Sequence, residues 1–222
     1  MLARLTGLVS VIVAATSGSF VRREREALCD LALAVGPDAA TLCSEWTVRD
    51  LVVHLLIRER KPWVAGGILV PALSGLTDRA SARLAARPFA ALVGDLRIPS
   101  LPLRAPGVDA LANTLELFVH HEDVRRAQPS WVARELSDAD ETTLWRPLSM
   151  MGRGLVRPAG VPVTIVSGSR RATLRGGDDP VVVSGPVGEL ALLLFGRTQV
   201  TGLAFDGPEE KVAKLRSAQL GF

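Results

Sequence analysis

Up to about Pro129 the apolar residues recur every three to four positions, and beyond it short alternating runs take over, so the chain reads as a helical part followed by a mixed part. Residues 20–35 set charged positions against Leu28, Leu31, Ala32 and Val35 at helical spacing, and Gly36-Pro37 closes this first helix. In TVRDLVVHLLIRERK, Thr47 and Asp50 have capping-box spacing, and Val48, Leu51, Val52, Leu55 and Leu56 form a broad buried stripe ending before Pro62. Residues 63–77 are rich in Gly, Pro and small apolar residues, which suits a buried crossover or a cavity wall. A third helix is expected from Asp78 to Phe89, continuing to Leu96 if Pro88 does not break it. The fourth, LANTLELFVHHEDVRRA over 111–127, is capped by Asp109. Four helices joined in this way predict an antiparallel bundle.

Further on, 136–155 reads as helical in its first half, with Ser137 as cap and Asp138, Asp140 and Glu141 in the first turns, while Pro147, Gly152 and Gly154 leave its end open. VPVTIVSG, RRATLRGG and DPVVVSG read as short strands, with GSRR as a hairpin turn. An apolar helix runs from Pro186 to Gly196, VTGLAF is a last strand, and an amphipathic helix begins at Pro208. The expected fold is therefore α+β, a helical bundle followed by a small α/β domain. By residue, the expected division is 1–19 as an extension, 20–135 as the helical bundle, 136–160 as a linker helix and loop, and 161–222 as the α/β domain.

Composition narrows the function. The chain has 222 residues, 48% of them hydrophobic, enough for two small cores. With 26 basic against 23 acidic residues, scattered along the chain, and no tyrosine, it is a poor nucleic-acid binder. The apolar run LTGLVSVIVAA in 1–19 is too short to span a bilayer and lacks a clean cleavage site, so the extension is read as poorly ordered or non-native and no membrane partner is expected. Cys29 and Cys43 are too far apart for a zinc knuckle or a C-x-x-C motif and read as reduced, buried thiols of a cytoplasmic protein.

The candidate chemistry sits on the fourth helix. Glu116, His120 and Asp123 fall within roughly 60° of one another on its surface, a ligand-like stripe, while His121 points elsewhere. The remaining histidine, His54, lies beside the apolar stripe of the second helix, with Asp50 one turn earlier. His54, Glu116 and His120 are the simplest metal set available, leaving coordination positions open as catalytic zinc sites do. By spacing alone, Glu116 and His120 are equally a helix-stabilising i, i+4 pair. Arg197, after the apolar helix, is a candidate for holding an anionic substrate or thiol, and equally a cation suited to a helix C-terminus.

CSEWTVRDLVVHLL and ELFVHHEDVRRA resemble two motifs of the DinB-like, mycothiol-dependent maleylpyruvate isomerase superfamily. More narrowly, REREALCDLALAVGPDAATLC, RERKPWVAGGILVPAL and FVHHEDVRRA look like an actinobacterial subfamily of metal-binding proteins with no assigned reaction. The resemblance covers 21–222. It implies a DinB-like four-helix bundle and a C-terminal domain similar to sterol carrier protein, with a divalent metal, usually zinc, on His54, Glu116 and His120. Asp50 and Asp123 would stand behind these ligands. It also implies the thiol mycothiol as cofactor, whose metal-held thiolate attacks an electrophilic substrate in isomerisation or S-transfer. The alternative is a non-catalytic metal-binding or ligand-binding module.

Overall fold

The computed structural model describes residues 19–43, 45–60, 81–101 and 108–221, with no side-chain placement at 108–112. The expectations for 1–18, for the 63–77 crossover, for a helix start at Asp78 and for the Asp109 cap lie outside those residues. The chain divides into two compact units, Met1–Asp38 with Val48–Asn113 and Ala39–Thr47 with Thr114–Phe222. This division falls at 113/114, within a helix, and is a different cut from the compositional one.

The first unit is helical. It holds α1 (Phe20–Val35), α2 (Val48–Arg60), α3 (Phe89–Arg97) and the opening residues of α4 (Val108–Arg126). Gly36, at φ +89°, closes α1. Pro88 does break the stretch: residues 81–85 are helical, and α3 begins after Pro88, whose ring removes the N–H that a continuous helix needs. α3 packs on both α1 and α2. Leu28, Cys29 and Ala32 of α1, Leu51, Val52, Leu55 and Leu56 of α2, and Leu92, Val93 and Leu96 of α3 are all buried. Each buried leucine contributes about 1.5–3 kcal/mol relative to exposure. A buried ion pair, Arg25 Nη1 to Glu59 Oε1 at 2.7 Å, crosses this core. Leu96 O accepts from Arg25 at 3.1 Å, and Asn113 donates to Glu59 at 3.1 Å, so both charges are hydrogen-bonded as burial requires.

The second unit holds the segment 39–47, α4 from Thr114, α5 (Asp138–Leu155), a 3-10 turn (Arg157–Ala159), β1 (Val163–Ser167), β2 (Arg170–Arg175), β3 (Val181–Ser184), α6 (Val187–Leu194), β4 (Ala204–Asp206) and α7 (Glu209–Ser217). Ser137 caps α5 as expected, accepting from the Asp140 N–H at 3.2 Å. The helix then continues through Pro147 to Leu155, further than the sequence pattern decides, because Leu144, Leu148 and Leu155 keep the same buried stripe. The strands form one mixed sheet in the order β2-β1-β3-β4. β1 pairs antiparallel with β2 through the two-residue turn Gly168-Ser169, where Gly168 supplies the positive φ of +57°. β3 runs parallel to β1, and β4 antiparallel to β3. Val163, Ile165, Val181 and Val183 of the two central strands are buried. β2, with the polar sequence RRATLR, takes an edge, where charged residues discourage pairing with other chains. Among the described residues no helix is long and apolar enough to cross a membrane.

Candidate metal centre

α4 carries two chemically different faces in the second unit. Glu116, His120 and Asp123 share one, while Phe118, Glu122 and Arg126, four residues apart, share another. On the first face His120 Nε2 lies 3.3 Å from Glu116 Oε1, and Nδ1 lies 2.8 Å from Asp123 Oδ2. Each ring nitrogen therefore faces a carboxylate. The stripe expected from the spacing is realised because i, i+3 and i, i+4 neighbours meet on any helix, whatever surrounds it.

Two further side chains reach the same cluster from distant sequence. After α6, the Gly196 N–H donates to Leu193 O at 2.9 Å and the Arg197 N–H to Leu192 O at 2.9 Å, a Schellman closure in which Gly196, at φ +80°, reverses the chain. A side chain at Gly196 would also meet Leu220 O at 2.5 Å. Arg197 thus leaves the helix in a fixed direction and grips Asp123 with two bonds, Nε to Oδ1 at 2.7 Å and Nη2 to Oδ2 at 2.6 Å. It also donates to Phe195 O at 2.5 Å and to Cys43 Sγ at 3.3 Å. Cys43 comes from the 39–47 segment, which is held by an Ala40–Thr47 bridge, the Leu42 N–H on Asp123 O at 3.1 Å, and Thr41 Oγ1 accepting from the Cys43 N–H at 3.1 Å. The Cys43 thiol donates to Asp123 Oδ2 at 3.0 Å and stands 3.8 Å from His120 Nδ1. Cys43, His120 and Asp123 are a possible metal-binding cluster, with one ligand atom from each lying within 4.8 Å of the others.

The electrostatics follow from these contacts. Burial alone would lower the His120 pKa, but hydrogen bonds to Asp123, Cys43 and Glu116 carry it well above the usual value. Burial likewise opposes ionisation of Asp123, yet Arg197 and His120 outweigh it and bring its carboxyl down from 3.8 to about 2. The folded value of Asp123 is depressed, so its stabilisation is present above the unfolded value and is lost as pH falls through the folded one. In metal-free protein, acid titration followed by circular dichroism should show about 2 kcal/mol of stability lost between around pH 4 and pH 2. The Asp123→Asn variant should lack that loss. An identical acid limb in both proteins would mean that Asp123 is not gripped in solution.

The other face of α4 carries a buried ionic network. Glu122 receives Arg125 Nη1 at 2.7 Å and Arg126 Nε at 2.6 Å, and Arg134 Nε stands at 2.7 Å. Burial raises the Glu122 carboxyl, but Arg134, Arg126 and Arg125 together hold it below its ordinary value. Arg126 also donates to both oxygens of Glu189 on α6, at 2.9 and 2.6 Å, and to Gln199 O at 2.5 Å, and it stacks over Trp131 at 4.6 Å. The sequence places Arg125 and Arg126 in the last turn as dipole-matching cations. They are in that turn, but Arg126 is buried and serves mainly as a cross-link.

Of the residues expected from the sequence, Glu116, His120, Asp123 and Arg197 come together in the second unit, with Arg197 paired to Asp123. His54 and Asp50 lie four residues apart on α2 in the first unit, with Asp50 exposed. Cys43, read from sequence as a buried thiol, is instead part-exposed and belongs to the cluster, whereas Cys29 is buried, its thiol pushed up to about 11 by burial. Its place three residues before Trp46, in the CSEWT motif, is the signal that could have singled out Cys43.

No family model matches the chain. No curated protein matches it either. Among solved structures, the crystal structure of the mycothiol-dependent maleylpyruvate isomerase shares its fold, with a TM-score of 0.53 at 16% identity over 85% of this chain and 90% of that one. The chain has the same α+β fold as that enzyme, a helical N-terminal region followed by a four-stranded mixed sheet with helices.

Proposed function

We propose that this protein is a divalent-metal protein, with zinc as the expected ion, that uses a low-molecular-weight thiol such as mycothiol to act on an electrophilic substrate by isomerisation or S-transfer. The observation that carries the reading is the environment of His120. A metal-ligating histidine typically offers one ring nitrogen to the ion and donates the other N–H to a carboxylate, which fixes its tautomer and orientation. His120 has that arrangement, with Nδ1 on Asp123 and Nε2 on the side of Glu116. Both Asp123 oxygens are occupied by Arg197, so Asp123 is better suited to orient His120 than to take an ion itself.

The residues fit a zinc ion by donor type, since imidazole nitrogen and carboxylate oxygen are its usual partners. Glu116 and His120 would hold it, and the third ligand expected from the sequence is His54. When bound, zinc would supply Lewis acidity that favours the thiolate form of a coordinated thiol. The chain's own part is to hold the imidazole tautomer through Asp123, to fix Asp123 through Arg197, and to keep a second thiol, Cys43, hydrogen-bonded to Asp123 beside them.

The compact Cys43, His120 and Asp123 set favours a second placement of the ion, on the opposite side of the imidazole. It requires Arg197 to release Asp123. Elemental analysis of untagged protein separates the two. The first placement predicts about one ion per chain, lost in Glu116→Gln and His54→Ala and kept in Cys43→Ser. Loss in Cys43→Ser with retention in Glu116→Gln would move the ion to the sulfur side. No ion in the wild type, even with zinc supplied, would remove the metal-dependent reading. Zinc without thiol-dependent turnover of any electrophile would leave the non-catalytic module.

A further inference from the structure

We propose that Glu189 is a positioning residue for the metal centre, acting through Arg126 to fix the 197–201 segment and so to keep Arg197 on Asp123. The proposal deepens the reading above and rests on it for its zinc measurement. Two arginines cross between α4 and the chain around α6 in opposite directions. Arg197 reaches from the segment after α6 to Asp123 on α4, while Arg126 reaches from α4 to Glu189 on α6 and to the carbonyl of Gln199. Glu189 closes the loop by also accepting from the Thr201 N–H at 3.0 Å. The segment bearing Arg197 is thereby tied to α6 and α4 at 199 and 201, just beyond the residue that grips Asp123.

The connection has little slack. The side chains of Arg126 and Glu189 are only 1% and 4% exposed, and four of the five guanidinium N–H groups of Arg126 are engaged, on Glu122, Glu189 and Gln199. A guanidinium this little exposed that loses one carboxylate pulls on its remaining partners or moves toward the cavity that Glu122, Arg126 and Glu189 line. Either response displaces Gln199 and the backbone that aims Arg197. The chain of contacts runs Glu189, Arg126, the 197–201 backbone, Arg197, Asp123, His120 Nδ1. It links the sheet-bearing part of the second unit to the imidazole without Glu189 touching the centre.

The test is a double-mutant cycle read on the centre rather than on stability, because a merely structural ion pair would change stability too. Zinc affinity is measured by chelator competition in the wild type, Glu189→Gln, Arg197→Met and the double variant. Loss of an orienting contact typically costs about tenfold or more in metal affinity. Glu189→Gln should therefore weaken zinc about tenfold in the wild type and less than about twofold in the Arg197→Met background. In zinc-free protein, the side-chain nitrogen resonances of His120 should shift in Glu189→Gln and stay put when the change is made on Arg197→Met. If Glu189→Gln does not fold, Arg126→Lys, which retains the charge but cannot span Glu189 and Gln199 together, is read in the same way. A shift in unfolding midpoint with unchanged zinc affinity and unchanged His120 resonances would overturn the proposal, as would equal effects in both backgrounds. Should the wild type bind no zinc, the metal reading fails while the His120 resonances still decide whether Glu189 positions Arg197.

Discussion

Replacing Glu122 with alanine should destabilise the protein by about 3–5 kcal/mol, the cost of removing one member of a buried ionic cluster. Glu122 is 0% exposed and stands within 2.7 Å of guanidinium nitrogens of Arg125, Arg126 and Arg134. Arg126 is itself buried and retains only Glu189 as a carboxylate once Glu122 is gone. The loss therefore comes from guanidinium groups stripped of water and of a counter-charge, beyond the missing hydrogen bonds. Urea unfolding would register it as a midpoint lowered by roughly 1–5 M, given slopes of about 1–3 kcal/mol/M. The more informative comparison removes the buried charges together, Glu122→Leu with Arg126→Met and Glu189→Leu, since Arg126→Met alone would leave the Glu189 carboxylate buried without its guanidinium. Exchanging a buried ionic triad for apolar groups of similar volume is often neutral or stabilising, so this triple variant should be more stable than Glu122→Ala. A loss under about 1 kcal/mol for Glu122→Ala would show that water enters the cluster and that it behaves as a surface pair.

On the proposed placement of zinc at Glu116 and His120, Asp123→Asn should weaken zinc binding by about 10–100-fold while leaving an ion in the protein at saturating zinc. The amide is nearly the same size as the carboxylate but offers one acceptor oxygen where Asp123 has two, and those two now serve His120, Cys43 and both bonds from Arg197. Its lost charge also leaves the Arg197 guanidinium without its carboxylate partner. Competition against a chelator of known affinity measures the change, and Cys43→Ser is the companion variant expected to change affinity little. Complete loss of the ion in Asp123→Asn together with Cys43→Ser would make both residues ligands and place the metal on the sulfur side of His120. An affinity within about twofold of the wild type would mean that Asp123 does not orient the imidazole, against the usual cost of losing such a partner.

The parts of this molecule that were legible in its sequence are those in which neighbours along the chain are neighbours in space. Glu116, His120 and Asp123 share a face because a helix repeats every 3.6 residues, and no knowledge of the surroundings was needed to place them together. Pro186 and Gly196 bound α6 because one lacks an N–H and the other tolerates positive φ, and Gly168 turns the first hairpin for the second of these reasons. The extent of α5 was less legible, since Pro147 argues locally for a stop that the buried stripe of Leu144, Leu148 and Leu155 overrides. Sequence alone therefore determined an α+β chain whose fourth helix sets Glu116, His120 and Asp123 on one face. Only the tertiary structure decided what that helix meets: Cys43 and Arg197, 80 and 74 residues from Asp123, converge on its carboxylate, and Glu189, 63 residues from Arg126, completes the buried network. Cysteine, arginine and glutamate at such separations carry no periodicity that links them. Their pairing is fixed by the way the 39–47 segment and α6 pack against α4, where charges removed from water must find one another.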